Sequence, residues 1–360
     1  MVKMTILDKY IAKEFTRYFT ITTVSFVSLY LIIDFFEKIR RFISNQATVH
    51  QVISFFFFST PMIIWLILPS SVLFASLITF RSLSRTNEIM ATKACGVSIH
   101  RTSLPVIAIA SLICIISFLI SEFVTPYTNE TAYKIKYIEI EKRGTTGAFK
   151  QNQIWYRGKE GIYNFKTFDP QTNSLQGITI YYVDKNLNLR KRVDAERGEW
   201  KNGRWTFYNL IATTFPPDRF PELEAISSKE ADMPEEPENL KAVQKDPANM
   251  GYMELRRYIK EIQSGGYDAK RYLVDLHGKL AFPLVNIIMA IIGISFQIES
   301  RGGKAQGLAA GIIIGFSYWI VFSFTISLGR AGGLPPLLAA WAANILFGLA
   351  ASFLLLRVRT

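Results

Sequence analysis

Glu37, Lys38, Arg40 and Arg41 crowd the end of a long apolar run, and Arg81, Arg85, Glu88 and Lys93 punctuate a short segment between two other such runs. These clusters are where the chain can act on charged partners. Catalytic chemistry has little to work with. The three histidines, His50, His100 and His277, lie in separate segments without metal-ligand spacing. No G-x-x-x-x-G-K-[ST] loop is present to cradle nucleotide phosphates, and no G-x-S-x-G turn to present a nucleophile. The expectation is a non-catalytic chain that binds no metal or cofactor of its own.

The elements that position these clusters are membrane-length. Uncharged stretches long enough to cross a hydrocarbon core of about 30 Å run near Tyr18–Phe36, Val52–Phe80, Thr102–Ser121, Leu280–Ile298, Ala305–Gly329 and Ala331–Leu356. Three precede a polar stretch and three follow it. The first run is long and flanked by Asp34 and Glu37, with no short core and small-residue cleavage site, so it is expected to be a retained span. A six-span chain without an energy-binding site is an ion-driven carrier, a channel, or the membrane part of a machine powered by a partner. Carriers keep carboxylates or histidines inside their spans as ion relays. These spans are almost free of charge, which favours the third class.

Basic residues in short flanks are retained in the cytoplasm. One side of the spans carries Lys3, Lys9, Lys13, Arg17, Arg81, Arg85, Lys93, Arg101, Arg301, Lys304, Arg357 and Arg359; the other has Lys38, Arg40, Arg41 and Arg330. Both termini are therefore expected in the cytoplasm and the polar insert outside it, in the periplasm of a bacterial inner membrane. The net charge of +12 sits mostly at membrane flanks, where anionic headgroups of membrane lipids account for it without nucleic acid. Cys95 and Cys114 fall in a loop and a span, so no disulfide is expected in the insert.

From about Val124 to Tyr272 the pattern changes to short alternating segments: Gln153–Arg157, Gly161–Phe165, Gly177–Val183 and Arg204–Tyr208, with turn signals at Asp169–Asn173 and Lys201–Gly203. An all-β sandwich or jelly roll follows. Its aromatic residues Trp155, Tyr163, Phe165, Tyr181, Trp200, Trp205 and Phe207 serve either as ordinary core or as a greasy surface for acyl chains or another chain's edge. Beyond a Pro- and Glu-rich loop at Pro234–Pro237, helical periodicity returns over Met253–Lys260 and leads through Gly265 and Gly266 to the fourth span. The expected fold is thus a membrane α+β protein: residues 1–123 with spans one to three, a β-jelly-roll domain with a connecting helix over 124–272, and 273–360 with spans four to six.

Within this frame the clusters acquire roles. The loop from Arg81 to Gly96 predicts a short helix, capped by Ser84 or Thr86, with Glu88 in its first turn and Gly96 at its end. Leu83, Ile89, Met90 and Ala94 can fill a groove on a soluble partner while Glu88 pairs with a partner arginine; a solvated loop is the other reading. Lys38, Arg40 and Arg41 either snorkel to ordinary headgroups or grip the phosphates of an anionic lipid, with Lys134 and Lys136 adding to the ring. Gly307, Gly311 and Gly315 recur every fourth residue in span five. That spacing implies close helix packing or a surface that slides as a gate.

Several ordered motifs resemble one family along essentially the whole chain. They are Leu7–Ile11 (LDKYI), Asn87–Gly96 (NEIMATKACG), Leu276–Pro283 (LHGKLAFP), Gly315–Trp319 (GFSYW) and Gly333–Trp341 (GLPPLLAAW). They look like the lipopolysaccharide-export permeases LptF and LptG, and the LDKYI opening and Leu-Pro-Pro turn point to the LptG branch. The resemblance implies an LptF-like second permease, two copies of an LptB-like ATPase that uses ATP and magnesium, and an LptC-like single-span protein. It also implies a periplasmic jelly roll that passes lipopolysaccharide onward. The lipid would reach a cavity between the permeases through gates at span one of one and span five of the other. Glu88 then falls on the acidic position of the coupling helix, and Arg40 and Arg41 on phosphate-contacting positions. Asp34 departs from the pattern, since some members have Lys there, which leaves Lys38 to substitute. Tyr133 stands where a basic residue can occur, leaving Lys136 as the nearest match. The alternative is a membrane-anchored periplasmic binding or scaffold protein whose spans only assemble with partners.

Overall fold

The structure is a computed structural model that describes residues 5–141, 154–157, 161–169, 172–183, 189–201, 203–216, 220–231, 249–264, 268–299 and 304–357. The expected loop at Pro234–Pro237 and the glycines Gly265 and Gly266 lie outside these residues. Among the described residues six helices are long and apolar enough to cross a membrane, and their apolar runs belong to one compact unit; the strands form another.

Helix α1 (Ile6–Ser44) starts with a capping box, in which Thr5 Oγ1 accepts the Asp8 N–H at 3.3 Å and the Asp8 carboxylate accepts the Thr5 N–H at 2.8 Å. Thr48 and Gln51 repeat the device at the start of α2 (Val49–Arg85). A short helix α3 (Glu88–Ala94) follows, then α4 (Ile99–Leu119), capped by Ser98. Prolines interrupt the bonding ladders of α2 (Pro61, Pro69) and α4 (Pro105). Neighbouring helices and side chains make this tolerable inside a membrane. Helix α1 contains neither proline nor glycine.

The helical course of span three outlasts its apolar run. A π-helical turn at Ile120–Val124 leads into α5 (Thr125–Tyr133), and a second π-helical stretch covers Lys134–Ile140. The membrane unit ends at Ala132 and takes back residues 247–259, so the compact units divide at other points than the 124 and 272 read from composition. Helix α6 (Tyr252–Ser264) supplies the reason. Its first N–H groups, at Tyr252 and Met253, donate to the Glu122 carboxylate, the second at 3.2 Å. A remote carboxylate thus does the work of a cap. Leu255, Tyr258 and Ile259 are buried beneath it.

Helices α7 (Lys270–Glu299, with Pro283), α8 (Lys304–Arg330) and α9 (Pro336–Arg357) complete the bundle. The last span begins at Pro336 rather than Ala331. The chain first turns through Gly332 at φ +83°, a conformation glycine adopts without penalty, and proline is preorganised for the first helical position. Packing is uneven. In α2 and α7 67% of the most apolar window is buried, against 11% in α1, so α2 and α7 form the middle of the bundle and α1 a wall.

The second unit holds β1 (Ile154–Arg157), β2 (Gly161–Asp169), β3 (Ser174–Val183), β4 (Leu189–Lys201), β5 (Arg204–Thr214) and β6 (Glu222–Ala231). All pair antiparallel in chain order. The inserted β domain is as expected, with simpler connections than a Greek-key jelly roll: one meander of consecutive neighbours. One row of cross-strand pairs is skipped throughout, that of Lys166, Gly177, Glu196, Asn209 and Ser227. Gly177 and Asn209 take positive φ, 61° and 53°, which Gly and Asn tolerate best. At this row the inward alternation slips by one residue. Leu175 gives way to Ile178 and Ile180, and Trp205 and Phe207 to Leu210 and Ala212. Each strand carries one such residue opposite its neighbour's, so the register is the same on both sides of the row while the inward phase of the strands changes there. Running across neighbouring strands, this row creases the sheet, so that a single sheet buries its own inner face.

Tyr163, Phe165, Trp205 and Phe207 are buried in that core, and Trp200 packs against it. A Cβ on Gly198 would lie 2.8 Å from both Ile178 Cδ1 and Phe207 Cδ1, so glycine is needed where these side chains meet. These aromatic residues thus act as ordinary core; Tyr181 lies outside it, its ring centre 5.7 Å from the Arg192 guanidinium, and the Trp155 side chain lies outside the description.

Candidate functional site

Helix α1 packs mainly on α2 and α4, and α8 packs on α2, α7 and α9. Where α1 and α8 both border α2, an apolar cleft of about 350 Å³ remains, within the range of small-ligand sites. Phe26, Leu29, Tyr30 and Ile33 line it from α1, Ile67, Ser70 and Phe74 from α2, and Gly311, Ile312, Gly315, Phe316 and Trp319 from α8. Phe26 and Phe74 meet edge to face at 5.2 Å between centroids.

The predicted glycine face divides here into two uses. A Cβ at Gly311 would come within 2.9 Å of Leu77 Cδ1 and 3.1 Å of Phe74 Cζ, so this glycine lets α8 approach α2 closely. Gly315 has ordinary clearance, 3.8 Å from Leu73 Cδ2, and serves the cleft wall alone, which Gly311 also borders. Gly307 falls within α8, but its surroundings lie outside the described residues.

Toward the C-terminal end of α1, Asp34 is buried and ion-paired with Lys38, whose ammonium also lies 5.2 Å from the centre of the Phe55 ring. Lys38 is therefore committed to Asp34, and the pair is neutral as a unit. Arg40 and Arg41 are exposed one turn further on, and no side chain among the described residues holds either. Lys136 belongs to the other unit, within the second π-helical stretch, with its ammonium 4.7 Å from the centre of the Tyr137 ring.

The predicted coupling segment is helical over Glu88–Ala94. Its cap is neither Ser84 nor Thr86, because α2 runs on through Ser84 to Arg85 and ends at Thr86. Asn87, at φ 60°, turns the chain instead, and Gly96, at φ 76°, lies just beyond the helix. Leu83 is buried in the chain's own bundle core and Ile89 packs against the same cluster. Met90 remains 71% exposed and Ala94 is exposed, which leaves these two facing outward. Glu88 Oε1 accepts the Thr86 hydroxyl at 2.6 Å and lies 3.4 Å from the Tyr10 hydroxyl of α1.

Two polar constellations escaped the sequence reading. Asp8 Oδ1 and Oδ2 accept from Arg101 Nη1 and Nη2 at 2.5 and 2.7 Å. Inside the bundle, Tyr318 donates to Asn344 Oδ1 at 2.9 Å and Asn344 Nδ2 donates to the Ala281 carbonyl at 2.6 Å, joining α8, α9 and α7. Both link positions far apart in the chain. The only local signals were polar residues inside otherwise apolar motifs.

Six membrane helices with an antiparallel sheet domain between the third and fourth define a multi-pass membrane protein of the α+β class. Residues 9–357 match the family described as lipopolysaccharide export system permease LptF/LptG, and the chain belongs to that family. Among its relatives is the lipopolysaccharide export system permease protein LptG of Haemophilus influenzae, 23% identical over 359 residues that cover 98% of this chain and 99% of that protein. The LptG protein of Escherichia coli K12 is 23% identical over 363 residues, 98% of each chain. The family is one of transporter permeases rather than enzymes, and its members sit in the inner membrane.

Proposed function

We propose that this chain is the LptG-like permease subunit of an ATP-driven exporter that takes lipopolysaccharide from the outer leaflet of the inner membrane and passes it to a periplasmic bridge. The cleft between α1, α2 and α8 carries the proposal, because it offers apolar walls at membrane depth on the two helices whose counterparts are expected to gate lipid access. Arg40 and Arg41 would hold headgroup phosphates, since exposed guanidinium groups offer paired donors to an anion. Lys38, neutralised by Asp34, would contribute little charge; Lys136 keeps only the phosphate-contacting role that the family resemblance implies. Both termini and Glu88 would face the cytoplasm and the sheet the periplasm. Glu88, with Met90 outward and Ile89 and Leu83 anchoring from behind, would meet an LptB-like ATPase dimer that binds the ATP and magnesium. An LptF-like permease would complete the cavity and an LptC-like single-span protein would receive the lipid.

The test is ATP turnover by the complex reconstituted in nanodiscs, with and without lipopolysaccharide. Replacing both Arg40→Glu and Arg41→Glu is expected to lower lipid-stimulated turnover by ~tenfold or more, the scale of losing charge-assisted contacts in a binding site. Undiminished stimulation in that variant would assign the arginines to ordinary headgroups. Assembly without any stimulation in the wild type would favour a scaffold.

A further inference from the structure

Helix α1 is held at its ends and loose between them. Its buried residues are Asp8, Ile11, Phe15 and Thr22 toward one end and Asp34 and Phe42 toward the other, with none between Thr22 and Asp34. That unburied middle carries Phe26, Leu29, Tyr30 and Ile33, the α1 wall of the cleft. The helix has 39 residues, about 58 Å at the usual rise per residue, with no proline or glycine at which to bend. A stiff rod gripped near its ends moves its middle whenever an end moves.

The first of these grips is built from charge. The Asp8 carboxylate, 5% exposed, accepts from the Thr5 N–H at 2.8 Å, the Thr5 hydroxyl at 2.9 Å and both terminal nitrogens of Arg101. A paired guanidinium–carboxylate contact fixes orientation as well as distance. Arg101 sits in the first turn of α4, so the clamp sets α1 against span three. Two residues further along α1, Tyr10 reaches Glu88 of α3.

We infer that Asp8 is a positioning residue of the transport cycle. Its clamp on Arg101 holds the end of α1 where Tyr10 meets Glu88, so that displacement of the coupling helix is delivered along α1 to the wall of the cleft. The inference rests on the proposed function, and assigns to Asp8, Arg101 and Tyr10 the transmission between its two ends.

The experiment uses the full-length chain assembled with its partner permease and ATPase in nanodiscs of phosphatidylethanolamine and phosphatidylglycerol, with and without lipopolysaccharide. Asp8→Asn is expected to lower lipid-stimulated kcat by ~tenfold, within the range of typical coupling energies, while KM for ATP stays unchanged. Arg101→Lys, which keeps the charge and loses the paired donors, is expected to fall between Asp8→Asn and wild type. Asp8→Asn combined with Arg101→Gln is expected to be no worse than either alone, as for two members of one contact. Hydrogen exchange, which needs no transport, is expected to speed up at the amides of Glu88–Ala94 in Asp8→Asn. Tyr10→Phe removes one hydroxyl, leaves the ion pair, and carries the test if Asp8→Asn fails to assemble; a loss of stimulation at unchanged KM supports the inference. Full stimulation in Asp8→Asn or Tyr10→Phe, or unchanged exchange at α3, overturns it. A wild-type complex that lipopolysaccharide does not stimulate overturns the proposed function instead, and the exchange measurement still decides the clamp.

Discussion

The sheet and the bundle each bury fully enclosed phenylalanines, for different reasons. Phe207 in β5 and Phe80 in α2 are both 1% exposed. For Phe207 the alternative to burial is water, so its burial carries the transfer term of the hydrophobic effect. For Phe80 the alternative is lipid tails as apolar as the protein, so only close packing holds it. The lesson is that equal burial in the two units does not mean equal stabilisation.

The largest expected effect is therefore in the sheet. Phe207→Ala should cost about 3–5 kcal/mol, read as lost hydrogen-exchange protection of the β3–β5 amides in the full-length chain. Phe80→Ala, which forfeits packing and leaves a cavity but loses no transfer term, should cost about 2 kcal/mol by protection of α2 amides. Equal losses at the two sites would break the comparison. A smaller effect sharpens it: Tyr318→Phe leaves Asn344 Oδ1 without its donor and should cost about 0.6–1.7 kcal/mol, read as protection at α8 and α9.

The smallest effect lies on the sheet surface. Lys201, bonded to Glu199 at 2.6 Å, holds the Glu199 carboxyl below its ordinary pKa, helped by Arg197. A depressed folded pKa means that the contribution is present above the unfolded value and is lost as pH falls through the folded one. Glu199→Gln should thus lower protection slightly at neutral pH, and the difference should shrink as pH falls below the ordinary glutamate range. A difference that persists in acid would assign it to shape rather than charge.

The sequence disclosed what repeats locally. The spans are unbroken apolar runs, so their number and order could be read directly. β1, β2, β3 and β5 announced themselves by alternation, but β4 (LRKRVDAERGEWK) and β6 (ELEAISSKEA) did not. β4 points only Val193 and Ala195 inward before its phase slips at Glu196, and β6 gives the core little beyond Ile226. At the candidate site, Glu88 and the arginines were legible as charges where the pattern of spans makes charge conspicuous. The commitment of Lys38 to Asp34 is an i to i+4 contact that sequence spacing permits without requiring. The Asp8–Arg101 clamp was illegible, because 93 residues separate two side chains that only the packing of α1 on α4 brings together.

The crease in the sheet makes the β domain intolerant of a particular kind of error. A strand that lost its residue at the crease while its neighbours kept theirs would fall one position behind them past that row, and in their register every residue beyond would be turned to the opposite face. In β5, deleting Asn209 would send Leu210 and Ala212 toward solvent and draw Ile211 and Thr213 inward. Composition and length would hardly change, yet half a strand would present the wrong face. Substitutions in this domain are felt one side chain at a time, whereas a single-residue deletion between Phe207 and Leu210 is felt by every residue that follows it in the strand.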